Sequence, residues 1–208
     1  MKAMTVNLKG IGYSFEELKN EAVKNWRMLL LVILFICGML TGAALYKNFG
    51  ENISKSITDK FSEMLELSFF KIFIIMLIAS IIPLLISFFN SFNALGMPII
   101  LFIPAFYGLA LSFFSSFLYT NYRKDGVIFA LVLIFPAAVI NTLMLIAVNN
   151  ESLILSGIVS RNVFSSHKEG RGETKAFFLR YITAALITTV TCAADALAVT
   201  AIGKSLLF

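Results

Sequence analysis

Chemistry needs positioned acids, bases, nucleophiles or metal ligands, and these 208 residues supply few of them. Asp195 is the one carboxylate well inside a long apolar run, in Thr188-Thr189-Val190-Thr191-Cys192-Ala193-Ala194-Asp195. A charge at bilayer depth costs about 2.5–3.5 kcal/mol on insertion scales, so such a group is neutral, paired or turned toward a polar cavity. Two readings fit it: a proton or ion relay, or a protonated, hydrogen-bonded packing group nearer the interface. The apolar runs at 97–120 and 126–148 hold no second acid and no base to work with it, which favours packing. His167 is the single histidine and stands in a polar stretch. The sequence has no His/Cys/carboxylate cluster at metal spacing, no glycine-rich phosphate loop and no G-x-S-x-G elbow, so neither an enzyme nor a cofactor is expected. Cys37 and Cys192 both fall in apolar runs, where thiols pack as small apolar groups.

The remaining marked residues shape helices. Gly38 and Gly42 form G-x-x-x-G, which lets two helix backbones approach closely; packing within the chain is expected ahead of homodimerisation. Pro83, Pro104 and Pro136 each remove an N–H from a helix and bend it, whereas Pro98 stands in a first turn, where proline is tolerated. Asn141, a turn and a half beyond Pro136, can bridge to a freed carbonyl or to a neighbouring helix.

The elements that must position these residues are set by composition. Hydrophobic residues make up 59% of the chain and charged ones 14%, with a mean hydropathy of +0.87. A water-soluble domain is about 45–50% apolar. A spanning helix needs about 20 apolar residues, and five windows qualify: 28–46, 68–89, 97–120, 126–148 and 176–202. The expected fold is all-α, a polytopic transmembrane helical bundle of about five spans with short amphipathic interfacial helices, forming one membrane domain over residues 1–208. The first window is too long, and too far from the start, for a cleaved signal peptide. The net charge of +5 comes from basic residues scattered at helix ends, which fits lipid headgroups and argues against nucleic acid as a partner.

Those basic residues also set an orientation. Lys2, Lys9, Lys19, Lys24 and Arg27, with Arg161, Lys168, Arg171, Lys175 and Arg180, fall on one side; Lys47, Lys55, Lys60, Lys71, Arg123, Lys124 and Lys204 fall on the other. Ten against seven places the amino terminus in the cytoplasm and the carboxyl terminus outside. Residues 1–27 then form a cytoplasmic juxtamembrane segment, with Ser14-Phe15-Glu16-Glu17 as a capping box at a helix start. Residues 47–67 form an external amphipathic loop in which Ile53, Ile57, Phe61 and Leu65 recur every four residues, a helix for the outer surface or for a partner. Residues 149–175 form a cytoplasmic loop that breaks at Lys168-Glu169-Gly170-Arg171-Gly172-Glu173.

Taken in order, Ala94-Leu95-Gly96-Met97-Pro98-Ile99-Ile100-Leu101, then Tyr107-Gly108 before an aromatic and serine run, then Gly126 and Pro136, resemble the stage II sporulation protein M family, and the similarity runs over roughly residues 20 to 205. The sharpest piece is the Gly-x-Pro break of Gly96 and Pro98 followed by Gly108. The chain departs from the family after Pro136, where members commonly carry polar residues and a second proline and this sequence reads Ala137-Ala138-Val139-Ile140-Asn141. The resemblance implies a non-enzymatic membrane scaffold of an endospore former. In the best-known members it recruits a peptidoglycan amidase and a lytic transglycosylase to the septum, so that wall is thinned and the forespore engulfed. Kinked spans and Asp195 leave a permease subunit of a transporter as the alternative.

Overall fold

The computed structural model describes the backbone of residues 8–164 and 171–207, and side chains at 26–50, 53–163 and 175–202. Five helices follow one another among the described residues: α1 (Leu8–Leu65), α2 (Phe69–Ser91), α3 (Gly96–Phe129), α4 (Phe135–Phe164) and α5 (Arg171–Leu207). Four stretches are long and apolar enough to cross a bilayer: Trp26–Gly50, Phe69–Ser91, Gly96–Val163 and Lys175–Ile202. A straight helix the length of the third would run about 100 Å, more than three times the roughly 30 Å hydrocarbon core. It is instead folded in two. Arg123 has φ 51° and ψ −120°, the conformation of the first central residue of a type II′ turn. Beyond it Gly126 lies so close to the Leu118 carbonyl that a Cβ would collide with it. The windows at 97–120 and 126–148 are therefore antiparallel arms of one hairpin, and the protein is a membrane-embedded all-α bundle.

The prolines are absorbed without breaking a helix. Pro83 lies inside α2, and Pro104 lies fully buried inside the first arm of α3, before the reversal at Arg123. Pro136, the second residue of α4, stands one residue beyond a π-helical turn, Ala130–Ile134, the local rewinding by which a membrane helix re-pairs the carbonyls a proline leaves free.

Three boundaries differ from the sequence reading. Helix α1 already runs from Leu8, so the helix start expected at Ser14 falls inside a helix, where preceding residues supply the backbone hydrogen-bond partners. Residues 149–164 are not a loop but the last part of α4, because the bundle offers them partners: Leu153 joins Leu31, Ile100 and Ile146 in one buried cluster, and the Ser156 hydroxyl donates to the Asn93 carbonyl at 2.8 Å. Residues 47–65 are not a separate interfacial helix but the continuation of α1. Of the break expected at 168–173, residues 168–170 lie outside the described residues, as does His167, and residues 171–173 are not a turn but the start of α5.

Packing follows two parallel pairs. Helix α1 runs alongside the first arm of α3 in the same direction, with Gly38 against Ala105, Gly42 against Leu109 and Tyr46 against Phe113. Helix α2 runs parallel to α4, and α5 runs antiparallel to α2, with Cys192 near Met76 and Phe177 and Tyr181 near Phe88. At its carboxyl-terminal end α1 must bend. Ser54 reaches Asn121, yet Phe61 packs on Phe114 and Phe117. Two straight parallel helices would separate Phe61 from Phe114 by about 21 Å along the axis. The end of α1 instead turns back over the α3 reversal, and Phe61 sits edge-on among Phe114, Phe117, Tyr122 and Phe129.

Candidate functional site

Polar side chains from four helices meet halfway along the bundle. On α5, Thr188, Cys192 and Asp195 recur at intervals of four and three residues and so share one face. Thr188 and Cys192 are buried and Asp195 is half-buried. The Cys192 thiol lies 3.5 Å from the Ser80 hydroxyl of α2, and the Asn141 amide of α4 donates to the same hydroxyl at 3.5 Å. Tyr107 of α3 lies within electrostatic reach of Cys192 and Asp195. Each of Ser80, Tyr107 and Asn141 falls near the centre of its apolar window, which sets the cluster at the depth where water is scarcest.

This cluster is short of donors. Asp195 Oδ1 and Asn141 Oδ1 are both buried with no hydrogen-bond partner, and so is the Thr188 hydroxyl. The one ion pair among the described residues, Arg180 to Glu151 at 2.6 Å, lies elsewhere, between α5 and α4. Orphan acceptors on adjoining helices are what a proton, a water molecule or a small cation completes. A lateral groove of about 850 Å³ between α2 and α3 leads toward the cluster; its walls include Pro83, Phe102 and Phe106, and Tyr107 is the one lining residue with a polar side chain.

A second polar line joins α2 to α4. Below Ser80 and Asn141, the Ser87 hydroxyl donates to Asn149 Oδ1, and Ser156 donates to the Asn93 carbonyl. Asn149 is fully buried and its amide Nδ2 has no partner. Interhelical hydrogen bonds of this kind average about 0.6 kcal/mol in a membrane, so they fix register more than they add stability.

The structure separates the residues singled out from sequence. Gly38, Gly42 and Gly108 lie at the α1–α3 interface, where an added Cβ would strike the backbone carbonyls of Ala105, Leu109 and Phe35 respectively. Gly96 and Pro98 build the first turn of α3, and Gly96 lies against the Asn90 carbonyl in the turn from α2. Pro136 opens α4. Of the amphipathic set, Phe61 and Leu65 are buried, Ile57 packs against the same core, and Ile53 alone is exposed. Of the candidates, Asn141 and Asp195 come together in the polar cluster, joined there by Cys192, which the sequence had marked as a packing thiol. Their companions Ser80, Tyr107 and Thr188 carried no sequence signal of a polar site, since lone hydroxyls in apolar runs usually bond to their own helix. Among the described residues no three of His, Cys, Asp and Glu assemble as metal ligands. No known protein family, no curated protein and no solved structure matches this chain.

Proposed function

We propose that this chain is a non-enzymatic scaffold of sporulation in the cell membrane, multi-pass, with its amino terminus cytoplasmic and its carboxyl terminus external. It gathers a membrane-anchored peptidoglycan amidase and lytic transglycosylase at the septum, so that septal wall is thinned and the forespore engulfed. The reading rests on the resemblance carried by Gly96, Pro98, Gly108 and Pro136. The observation that supports it is the fastened outer end of α1. Phe61 and Leu65 hold that end to the α3 reversal, leaving Lys55, Asp59, Lys60 and Glu63 exposed. A charged helix face already fixed in place loses little freedom when a partner docks, which favours assembly over catalysis.

The test is genetic and biochemical together. Deleting the gene in its host is expected to block engulfment, and spores at normal frequency in the deletion strain would sink the reading. Reversing two charges, Lys55→Glu with Lys60→Glu, is expected to lower recovery of the wall hydrolases on purification by about tenfold while the protein stays at its normal level in the membrane.

A permease subunit is the second reading, and the unpartnered Asp195 oxygen favours it. In that case Asp195→Asn, which keeps the shape and removes the ionisable group, is expected to lower transport into proteoliposomes by at least about a hundredfold, in line with losing one essential relay. Unchanged flux, or an unchanged phenotype in the host, counts against it.

A further inference from the structure

We propose that the pocket between α1 and α3 at the outer end of the bundle binds the phosphate and glycerol backbone of an anionic phospholipid. The pocket holds about 760 Å³. Its wall on α3 is a stripe of hydroxyls: Ser112, Ser115, Ser116, Tyr119 and Thr120 recur at intervals of three, one, three and one, a single helical face. Facing them on α1 are Tyr46 and Lys47 at the rim, with Met39 and Ala43 deeper. From Met39 to Lys47 is about 12 Å along the helix, well under half the bilayer core of roughly 30 Å. The pocket therefore grades from a cation and hydroxyls at the interface to apolar walls at acyl-chain depth, the polarity profile of a phospholipid.

Part of this lining is braced within the protein and part is free: the Ser115 hydroxyl donates to the Leu111 carbonyl of its own helix at 2.9 Å. Ser54 donates to Asn121 Oδ1 at 2.7 Å, and Asn121 Nδ2 donates to the Tyr46 oxygen at 3.1 Å and to the Phe117 carbonyl at 2.9 Å. Tyr46 accepts in this network and so keeps its own proton for a ligand. Ser112 is only 9% exposed, lines the pocket and makes no hydrogen bond among the described residues. A hydroxyl in that position is a donor awaiting an acceptor, and phosphate oxygens are strong acceptors for hydroxyls and for an ammonium group. Lys47 supplies the charge that selects an anionic lipid over a zwitterionic one. Arg123 and Lys124, exposed at the reversal with Asp125 beside them, add a small net positive charge at this end. The site is independent of which partners a scaffold would hold.

The full-length protein, delipidated in detergent, tests this by native mass spectrometry and thermal unfolding with phosphatidylglycerol, phosphatidylcholine or inorganic phosphate. Phosphatidylglycerol is expected to be retained about tenfold better than phosphatidylcholine and to raise the unfolding temperature. Lys47→Ala is expected to remove that preference, a loss of about tenfold, and Ser112→Leu to block retention by filling the pocket. Lys71→Ala, an exposed cation on α2, serves as the control and is expected to change nothing. Should Ser112→Leu fail to fold, Tyr46→Phe takes its place, since it removes the hydroxyl and keeps the ring. Equal retention of the two lipids, or an unchanged preference in Lys47→Ala, overturns the proposal. Equal stabilisation by inorganic phosphate alone shows an anion site without a lipid and overturns it too.

Discussion

Phe61→Ala is expected to release the carboxyl-terminal end of α1 from the α3 reversal and to destabilise the protein by about 3–5 kcal/mol, the range for truncating a buried phenylalanine. The ring is 4% exposed and meets four others edge-on, with centroids 5.6 Å from Phe114, 6.0 Å from Phe117, 6.0 Å from Tyr122 and 5.8 Å from Phe129. Edge-to-face pairs add about 0.5–1.5 kcal/mol beyond burial. Among the described residues it alone has ring contacts both before and after Arg123, so it ties three chain segments at one point. Ile53, on the same helix but exposed, is expected to tolerate alanine within about 0.5 kcal/mol. Amide hydrogen exchange makes the comparison directly: Phe61→Ala should speed exchange over residues 54–65 while α2 keeps its protection, and equal protection in both variants would show that α1 is held by something else.

The consequence reaches the proposed scaffold role. Phe61 is buried and cannot touch a partner, whereas Lys55 and Lys60 are exposed and can. If assembly depends on a prefixed helix face, Phe61→Ala weakens partner recovery through added disorder, and the charge reversal weakens it with exchange rates unchanged. Two variants with one functional outcome and opposite exchange behaviour separate positioning from contact.

What the sequence made legible were the features with a local cause. Apolar windows depend on composition alone, so the crossing segments were readable, and the polar Asn121-Tyr122-Arg123-Lys124-Asp125 between two windows marked the reversal. Asp195 was visible because one carboxylate in an apolar run is costly wherever it points. The features that escaped depend on partners distant in sequence. Lys47, Asn48, Gly50 and Glu51 read as the start of a loop, yet α1 continues through them because Tyr46 and Phe61 both find α3. Asn149, Asn150 and Glu151 read as the end of a span, yet their helix continues because Ser87 and Arg180 meet Asn149 and Glu151 there. Ser80 and Tyr107 acquire a role only when α4 and α5 bring Asn141, Cys192 and Asp195 beside them. Polar residues inside a bundle are thus defined by register between helices, which no window along one helix contains.

Gly42→Leu is expected to have the other large effect, preventing α1 from seating on α3. A Cβ at Gly42 already collides with the Leu109 carbonyl, and one at Gly38 with that of Ala105, and Gly108 makes the reciprocal approach to Phe35. In each case the obstacle is backbone, which cannot rotate aside as a side chain can, so the helices must separate along the whole contact. Overpacking a core commonly costs about 1–3 kcal/mol; here the cost falls at the upper end or beyond, because separating the helices also forfeits the Tyr46–Phe113 and Ser54–Asn121 contacts above it. Gly157→Ala is the matched contrast. Its Cβ would meet only the flexible Cε of Met97, and alanine in a helix interior is favoured over glycine by about 1 kcal/mol. Unfolding of the two variants in the same detergent should therefore move in opposite directions. A Gly42→Leu variant that keeps the stability of the unsubstituted chain but loses a dimer band on crosslinking would instead assign Gly38 and Gly42 to an interface between copies.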